Sequence, residues 1–445
     1  MWPTDRGAGG VAMSTVFVHG LGYVGLPTAA MFANYGHDVT GYDTDDAVVE
    51  CLRGGGLHIE EPGLRAFVTQ ALESGKLTVA HEVDEAKYHV IAVPTPYDRG
   101  AGVPDLQYVR AAADAIAPHL RTGDTVVLES TVPPTTTVDV LRPVLERSGL
   151  SAGTDFALVY CPETVLPGNI ITELKRNDRI VGGVNGVSTE AAVRLYESFV
   201  EGEIYTAADA TTAEVVKLTQ NTFRDVNIAL ANELALVSRD YGVDSRRVRE
   251  LANVHPRVDV HHPGPGVGGH CLPVDPWFLG YDSDSLRLVP VARAVNDGMS
   301  DHVVELLEAE LGSLAGRRIA LLGVAYKRGV GDTRRSPALA VAAALRDAVE
   351  EERAAPTDGG AGSSGGGIDV RLHDPHVDDE SLGLVDFDRA VADADAAVVV
   401  TGHEAFTDLD PERVRDAMAG SSVVDTRAVL SVPDWEAAGF TVRRI

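Results

Sequence analysis

The 445-residue sequence predicts an α/β fold with two doubly wound domains joined by a helical middle domain that contains a long central helix. Three observations support this class. Short apolar segments alternate with helical segments over residues 13–205, helical periodicity dominates residues 206–300, and the alternation returns over residues 315–445. A chain of this length is expected to form two or three domains, each with its own core.

The first domain opens with a short apolar strand, residues 16–19, that runs directly into a glycine-rich turn. A helix over residues 26–35 and a second strand over residues 39–42 follow, and Asp43 ends that strand. This order is typical of a Rossmann-like dinucleotide-binding unit, in which glycines bring the helix N-terminus close to a pyrophosphate. An acid after the second strand binds the adenosine ribose and repels a 2′-phosphate, so the predicted cofactor is NAD. The predicted cofactor-binding residues here are Gly20, Gly22, Tyr23, Val24, Gly25 and Asp43.

Three further strands of this domain end in polar or proline-containing loops. Ligands of doubly wound sheets bind outside the carboxyl ends of the strands, so polar side chains in these loops are candidate site residues. The alternative for each is a helix-capping role. The strands cover residues 90–93, 125–128 and 156–160, and the candidates after them are Thr95, Thr131 and Glu163.

A helical pattern extends over residues 211–240, and polar side chains that include Lys217 and Asn221 recur on one side of it. A solvated face is the usual reason for such a stripe. Lysine is scarce in this chain, however, with five in total, and the surrounding positions are apolar. The pattern therefore favours a polar stripe that lines a cavity.

Cys271 lies in the segment Gly268-Gly269-His270-Cys271, and Asp275 follows four residues later. Glycines let the backbone bend and let a ligand approach closely, and a thiolate is a strong nucleophile. The segment therefore predicts a catalytic thiol, with a buried structural cysteine beside a tight turn as the alternative.

The second α/β domain carries cationic residues after its strands. Lys327 and Arg334 follow the first strand, and Arg427 follows the strand at residues 422–425. Such cations bind phosphate groups, which predicts a nucleotide site. The alternative is that each of them forms a surface salt bridge.

Residues 357–367, rich in Gly, Ser and Asp, are predicted to form a mobile surface insertion. The other predicted elements are strands over residues 319–322, 368–372 and 396–401 and a helix over 336–350.

The formal net charge of −28 argues against nucleic acid or an anionic membrane surface as a partner. The five lysines stand against 33 arginines, which suits a halophilic protein or a genome whose base composition favours arginine codons. Residues 1–12 lack the apolar core of a signal peptide, and Met13 is the expected natural start. Without a long apolar run or paired cysteines, the chain is expected to be cytoplasmic. The spacing of its histidines fits no metal site, so no metal is expected.

The glycine turn, the Cys271 segment and the Lys217–Asn221 pair together resemble the UDP-glucose/GDP-mannose dehydrogenase family, from Met13 to the C-terminus. Val274 before Asp275 and the segment over residues 177–183 resemble the members that oxidise UDP-N-acetylmannosamine. That subgroup usually has arginine where this chain has Thr164, so UDP-N-acetylglucosamine and UDP-glucose remain alternative substrates.

The resemblance implies oxidation of the C6 alcohol of a UDP-sugar to a carboxylate, with two NAD reduced and a thioester formed on Cys271. Lys217 and Asn221 would stabilise the oxyanion, Asp275 and Thr131 would position or deprotonate water, and Glu163 would assist thioester hydrolysis. Thr95, Thr131 and Arg334 would contact the cofactor. The implied substrate-binding residues are Glu163, Lys217, Asn221, Arg257, Gly268, Lys327 and Arg427.

Arg257 resembles a residue that in this family reaches the substrate of the neighbouring subunit, which implies a homodimer or a dimer-based oligomer. Two other kinds of protein remain as alternatives. A two-electron hydroxyacid dehydrogenase would share the first domain but needs neither Cys271 nor a second nucleotide domain. An inactive nucleotide-sugar sensor would not need Cys271, Lys217, Asn221 and Asp275 intact.

Overall fold

The computed structural model describes residues 13–59, 61–98, 100, 102–354 and 366–445. The predictions about the first twelve residues and most of the insertion over 357–367 therefore fall outside the described residues. The chain divides into two compact units. The first runs to Gln220 and includes Trp277–Asp284, and the second comprises Asn221–Pro276 and Ser285–Ile445.

Within its described residues, the first unit contains an eight-stranded sheet in the order β10-β9-β8-β7-β4-β1-β2-β3. All its strand pairs are parallel except β8 with β9, where Val159 lies opposite Gly183. The strand–helix alternation predicts a parallel sheet, and it misses this reversal because alternation does not specify strand direction. The strands are β1 (Thr15–His19), β2 (Asp38–Tyr42), β3 (Leu77–Ala80), β4 (Tyr88–Ile91), β7 (Thr125–Leu128), β8 (Ala157–Tyr160), β9 (Arg179–Gly183) and β10 (Ile204–Thr206), with a separate antiparallel hairpin of β5 (Tyr97–Asp98) and β6 (Val103–Pro104).

Helices cover both faces of this sheet, because its central strands are apolar on both sides. The first helix follows the glycine turn and is buried along almost its whole length. A π-helical turn, Thr136–Leu141, and 3₁₀ turns at Ala117–His119 and Glu146–Ser148 complete the connections. The helices are α1 (Gly25–Asn34), α2 (Asp46–Arg53), α3 (Leu64–Glu73), α4 (Gln107–Ile116), α5 (Arg142–Leu145), α6 (Ile170–Arg176) and α7 (Gly186–Tyr196).

The predicted long helix is confirmed as α8 (Ala210–Asp240), which spans 31 residues and continues from the first unit into the second. Four shorter helices follow it in the chain. They are α9 (Ser245–Ala252), α10 (Asp275–Leu279), α11 (Leu288–Asp297) and α12 (Met299–Leu311).

The second unit contains, in its described residues, a five-stranded parallel sheet in the order β12-β11-β13-β14-β15. The predicted strands and the predicted helix after the first of them are confirmed, each within a few residues. No helix in the described ranges is both long and apolar enough to span a bilayer. The elements are β11 (Arg318–Leu322), α13 (Pro337–Ala354), β12 (Asp369–His373), a 3₁₀ turn (Glu380–Leu382), α14 (Phe387–Val391), β13 (Ala396–Val399), α15 (Glu404–Thr407), α16 (Pro411–Ala417), β14 (Ser422–Asp425), α17 (Val432–Ala437) and β15 (Thr441–Arg444).

Candidate active site

The glycine turn after β1 is closely packed at its two ends and open in its middle. Gly20 has φ +89°, and a Cβ there would lie 2.6 Å from the carbonyl oxygen of Ala92. A Cβ on Gly25 would overlap the carbonyl oxygen of Gly20. A Cβ on Gly22, in contrast, would meet nothing within 4 Å. The turn therefore leaves space for a ligand at Gly22 beside the N-terminus of α1, whose first turn has no acidic residue to repel a phosphate.

Asp43 ties the end of β2 to this turn. Its Oδ2 accepts a hydrogen bond from the Leu21 amide at 2.8 Å, and its Oδ1 accepts one from the Asp45 amide at 3.0 Å. Each carboxylate oxygen has two lone pairs, so capacity remains for the hydroxyl groups of a ribose. These contacts and the open space at Gly22 fit the adenosine half of NAD.

Thr95 and Thr131 meet at the carboxyl ends of two neighbouring strands, β4 and β7. The Thr95 hydroxyl donates to the Thr131 carbonyl at 2.7 Å, and the Ser130 hydroxyl donates to the Val93 carbonyl at 2.7 Å. The strand order of the sheet reverses between β1 and β4, and ligands of such sheets bind beside this switch point. The two threonines therefore border the crevice that the glycine turn begins.

Glu163, in the loop after β8, is held on both sides of its carboxylate. Its Oε1 accepts hydrogen bonds from the amides of Thr164 at 2.5 Å and Val165 at 2.8 Å. Its Oε2 lies 3.0 Å from the guanidinium of Arg179. Sequence reasoning used Arg179 only as part of a subgroup signature and missed this partner, because nothing in the local pattern indicates the contact.

A second buried carboxylate, Glu129, approaches the same arginine. Its Oε1 accepts a hydrogen bond from the Tyr196 hydroxyl at 2.6 Å and lies 3.7 Å from Arg179 Nη1. Burial raises the pKa of Glu129 to about 7, although the charge of Arg179 opposes the shift. Burial lowers the pKa of Arg179, but the charge of Glu163 and the other acidic groups outweighs burial and raises it. Arg179 is therefore a permanent cation between two carboxylates.

Lys217, on α8, points into the first unit. Its Nζ donates a hydrogen bond to the main-chain carbonyl of Glu163 at 2.6 Å, and the side chain is buried. Lys217 and Glu163, both predicted active-site residues, are therefore in contact. The contact is to the main-chain carbonyl of Glu163 and not to its carboxylate. One turn earlier on α8, the carboxylate of Glu214 accepts from the Thr135 amide, the Thr137 amide and the Thr137 hydroxyl at 2.6–2.8 Å.

The Cys271 segment belongs to the second unit and is anchored by its glycines. Gly269 has φ +86° and donates its amide to the Arg334 carbonyl at 2.9 Å. A Cβ on Gly269 would lie 3.0 Å from the Tyr326 ring, and one on Gly268 would lie 2.8 Å from the Tyr326 Cβ. Both positions therefore need glycine for the segment to pack on the loop after β11.

Cys271 itself is half-buried and begins a tight turn into α10. Its carbonyl accepts the amides of Val274 and Asp275 at 2.9 and 2.8 Å. The buried carboxylate of Asp275 accepts a hydrogen bond from the Asn221 amide group at 2.6 Å. The structure thus joins three of the predicted catalytic residues of this unit: Cys271 to Asp275 through the backbone, and Asp275 to Asn221 through side chains.

Arg427 is a predicted nucleotide ligand that follows β14. Its Nε donates to the Val400 carbonyl at 3.0 Å, and a Cβ on Gly264 would overlap its guanidinium. Burial lowers the pKa of Arg427 to about 10, and in the part of the chain that the structure describes no acidic charge offsets this shift. Such a cation is suited to an anionic ligand.

The other predicted ligands are placed differently. Lys327 is half-buried in the loop after β11, and Arg334 is exposed and paired with Asp332. Arg257 is exposed, and its guanidinium lies 3.5 Å from the His255 ring. Among the described residues, no group of three or more His, Cys, Asp or Glu side chains is arranged to hold a metal ion.

Three family models match this chain. They are the UDP-glucose/GDP-mannose dehydrogenase family's NAD binding domain over residues 14–200, its central domain over 211–298 and its UDP binding domain over 362–432.

Individual relatives cover nearly the whole chain. UDP-N-acetyl-D-mannosamine dehydrogenase of Methanococcus maripaludis (strain C7) is 39% identical over 443 residues, 98% of this chain and 97% of the relative. NDP-N-acetyl-D-galactosaminuronic acid dehydrogenase of Ralstonia solanacearum is 38% identical over 430 residues, 94% of this chain and 96% of the relative. The solved structure of a UDP-D-ManNAc dehydrogenase from Pyrococcus horikoshii matches with a TM-score of 0.87 and 39% identity, covering 97% of this chain and 99% of that chain.

Proposed function

The chain belongs to the UDP-glucose/GDP-mannose dehydrogenase family, and from this premise we propose that it oxidises the C6 alcohol of UDP-N-acetyl-D-mannosamine to the uronate with two NAD. The observation that carries the proposal is the Cys271 turn, in which a half-buried thiol lies four residues before the buried Asp275, whose carboxylate accepts a hydrogen bond from Asn221 of α8. A two-electron alcohol dehydrogenase does not need such a thiol.

The proposed reaction has two oxidations and a hydrolysis. In the first oxidation the C6 hydroxyl loses its proton to a base while C6 transfers a hydride to NAD, which leaves an aldehyde. The Cys271 thiolate adds to the aldehyde carbon and forms a thiohemiacetal, which can donate a second hydride. The product of that transfer is a thioester on Cys271. Water then cleaves the carbon–sulfur bond, which releases the carboxylate and regenerates the thiol.

The proposed roles of the polar residues follow from their charges and contacts. Lys217 supplies a fixed positive charge that stabilises the developing oxyanions, and Asn221 donates a hydrogen bond to the same oxygen. Asp275, held by Asn221, orients or deprotonates the hydrolytic water together with Thr131. Glu163 acts in the hydrolysis.

Residues 13–205 would form the NAD-binding domain, in which Gly20, Gly22, Tyr23, Val24 and Gly25 surround the pyrophosphate and Asp43 binds the ribose. Thr95, Thr131 and Arg334 are proposed to contact the rest of the cofactor. Residues 206–300 would form the dimerisation domain, and residues 315–445 would bind the UDP-sugar.

None of the three cysteines forms a disulfide in the described residues, which suits the proposed cytoplasmic location.

The uncompensated charge of Arg427 supports the proposal that the second unit binds the UDP diphosphate. Arg427 would pair with the diphosphate bidentately, and Lys327 would add a second positive charge. Gly268 would let the sugar approach the backbone. Arg427 and Lys327 would therefore bind the diphosphate end of the substrate, and Gly268 would lie beside its sugar end.

The sugar is proposed from the relatives and from residues near the active centre. Two relatives of nearly equal identity are named for different sugars, and Thr164 departs from the mannosamine subgroup. A panel of UDP-sugars assayed for NADH release in low and in high salt tests the proposal. We expect the highest kcat/KM for UDP-N-acetyl-D-mannosamine and two NADH per sugar. A higher kcat/KM for UDP-N-acetylglucosamine or UDP-glucose would contradict the choice of sugar, and one NADH per sugar would contradict the mechanism.

A homodimer is proposed from an apolar stripe on the exposed side of α8. Its members recur every three, four or seven residues, the spacing of a helix face that packs against another helix. A second copy of the chain is the occupant we propose, because one helix face can pair with itself about a two-fold axis. Arg257 would then reach the substrate bound to the partner. The stripe comprises Phe223, Leu230, Leu234 and Val237 of α8 together with Tyr241, which directly follows the helix.

A further inference from the structure

Arg179 opens β9 within the segment Asn177-Asp178-Arg179-Ile180-Val181-Gly182-Gly183, and the proposed mechanism gives it no role. The residue is 3% exposed, and its guanidinium lies 4.8 Å from the centre of the Tyr196 ring and 5.5 Å from that of Phe199. Packing against two rings restricts the guanidinium to one place. Arg179 is thus a rigid cation beneath the loop that carries Glu163.

The loop depends on this cation for the position of Glu163. The Glu163 carboxylate receives two amides on one oxygen and Arg179 on the other, so both of its oxygens are bound. These contacts orient the Glu163 side chain and, with it, the local main chain. The carbonyl of the same residue accepts the hydrogen bond of Lys217 Nζ at 2.6 Å. Arg179, Glu163 and Lys217 therefore form a continuous series of contacts inside the first unit.

We propose that Arg179 is a positioning residue that holds Glu163 and, through the main-chain carbonyl of Glu163, holds the ammonium group of Lys217 where the reaction requires it. A lysine side chain has four rotatable bonds, so a fixed acceptor at its end removes most of its freedom. Arginine suits the task because its planar group binds one carboxylate while stacking on rings, which lysine does not reproduce.

Glu129 is a second carboxylate near Arg179, and it interacts with this arginine less closely than Glu163 does. It lies 3.7 Å from Arg179, farther than Glu163 at 3.0 Å, and the Tyr196 hydroxyl already occupies its nearer oxygen. The hydrogen bond from Tyr196 therefore involves Glu129 and not the Arg179–Glu163 pair. This contact can be removed without touching the Arg179–Glu163 pair, which provides a matched control.

The expected effect on turnover rests on the proposed function, whereas the expected effect on the position of Lys217 does not. The first experiment compares Arg179→Lys with wild type and with Tyr196→Phe by acylating the lysines with acetic anhydride in the absence of substrate. Peptide mapping gives the rate at Lys217 relative to the more exposed Lys76. We expect Lys217 to become several-fold more reactive in Arg179→Lys and to be unchanged in Tyr196→Phe. An unchanged Lys217 rate in folded Arg179→Lys, or an equal rise in Tyr196→Phe, would overturn the inference.

The second experiment measures turnover. A displacement on the order of 1 Å can cost about 10²-fold in rate, so kcat of Arg179→Lys should fall by about that factor while the KM for NAD stays within about twofold. A thioester on Cys271 should accumulate in quenched samples, because hydrolysis needs Glu163. Tyr196→Phe should keep kcat within about twofold although the midpoint of thermal unfolding falls.

If Arg179→Lys does not fold, Glu129→Gln/Arg179→Gln removes both charges and leaves one buried carboxylate instead of two. The same rise in Lys217 reactivity is expected in that variant, and its absence counts against the inference. Inactive wild type with an altered Lys217 rate in the Arg179 variants would contradict the proposed function alone. Active wild type with an unaltered rate would contradict the positioning role alone.

Discussion

Two cysteines in this chain have surroundings that suit opposite roles. Cys161 is buried after β8, and burial raises the pKa of its thiol to about 12 despite the nearby positive charge of Arg179. It therefore stays protonated and inert at neutral pH. Cys271, the proposed nucleophile, is only half-buried and lies in a turn built on glycines. At the residue scale, access and local charge determine which thiol can react.

Cys271→Ser is expected to separate binding from chemistry. The variant should bind NAD and the sugar nucleotide with nearly unchanged Kd, because the substitution is almost isosteric. Turnover should fall by several orders of magnitude, since serine is a poorer nucleophile at neutral pH. Mass spectrometry of samples quenched during turnover should detect an acyl group on Cys271 in wild type. Cys51→Ser, which alters another half-buried cysteine, is the control and should keep full activity. Near-normal production of two NADH per sugar by Cys271→Ser would show that the cysteine is structural.

Glu129 is expected to make stability depend on pH. Burial raises its pKa in the folded state to about 7, above the ordinary value of 4.5, so the folded state binds this proton more tightly than the unfolded state. Its contribution to the free energy of unfolding is fully present below about pH 4.5 and is lost as the pH rises through about 7.

Glu129→Gln cannot ionise and should remove this dependence. The free energy of unfolding of wild type minus that of the variant should fall by on the order of 3 kcal/mol across this pH range. Denaturant titrations at a series of pH values measure it, with exposed Glu190→Gln as the control. A constant difference between wild type and Glu129→Gln would show that Glu129 has an ordinary pKa in the folded protein.

At the scale of elements, the start of α8 is attached to the loop that follows β7. Glu214 accepts three hydrogen bonds from Thr135 and Thr137, and Thr135 has a φ of +71°, which is uncommon for a residue with a Cβ. The backbone adopts this conformation because the carboxylate satisfies two amides at once. The helix that carries Lys217 and the loop that carries Thr131 are therefore joined by one side chain.

Glu214→Gln should weaken this attachment. Glutamine has one acceptor oxygen, so at least one of the three donors loses its partner and the free energy of unfolding should fall by about 1–3 kcal/mol. Denaturant unfolding at pH 8 measures the loss, because burial raises the pKa of Glu214 to about 7 and the carboxylate is then ionised. Glu190→Gln, on the exposed face of α7, should be neutral by comparison. Equal stabilities for the two variants would mean that the Glu214 contacts contribute nothing.

At the scale of the whole molecule, two features have opposite effects on the proposed dimerisation. They are the net charge of −28 and the exposed apolar stripe of α8. Like charges on two copies repel each other, whereas burial of apolar side chains favours association. Salt screens the repulsion, so the proposed dimer should become more stable as ionic strength rises. A halophilic protein would depend on this screening.

The dimer is tested by placing charges in the stripe. Leu230→Glu/Leu234→Glu should shift the molar mass in solution, measured by light scattering, from dimer to monomer, because each copy would bury two charges at the interface. Gln70→Glu adds a charge on an exposed position of α3 and should leave the dimer intact. If Arg257 completes the partner's site, the monomer should also lose turnover. An unchanged mass for the double variant would contradict the proposed interface.

Local sequence was enough to predict many of the strands, the long helix and several candidate groups. The glycine turn with Asp43, the long helix and the Cys271 segment each depend on neighbours within a few tens of residues, where spacing controls backbone shape. The strand–helix alternation likewise predicts both sheets. It does not predict that β9 runs antiparallel to β8, because direction depends on how the connection packs.

Only the tertiary structure decided the partners of the polar groups. The sequence predicts Glu163 and Lys217 as active-site residues, but not that Arg179 holds the Glu163 carboxylate or that Lys217 bonds to the Glu163 carbonyl. Those residues are 16 and 54 positions apart, and no periodicity connects them. A buried charge must find a partner wherever the fold brings one, because leaving it unpaired costs several kcal/mol, on the order of a third of the stability of a domain. Its partner is therefore a property of the packed structure and not of the surrounding sequence.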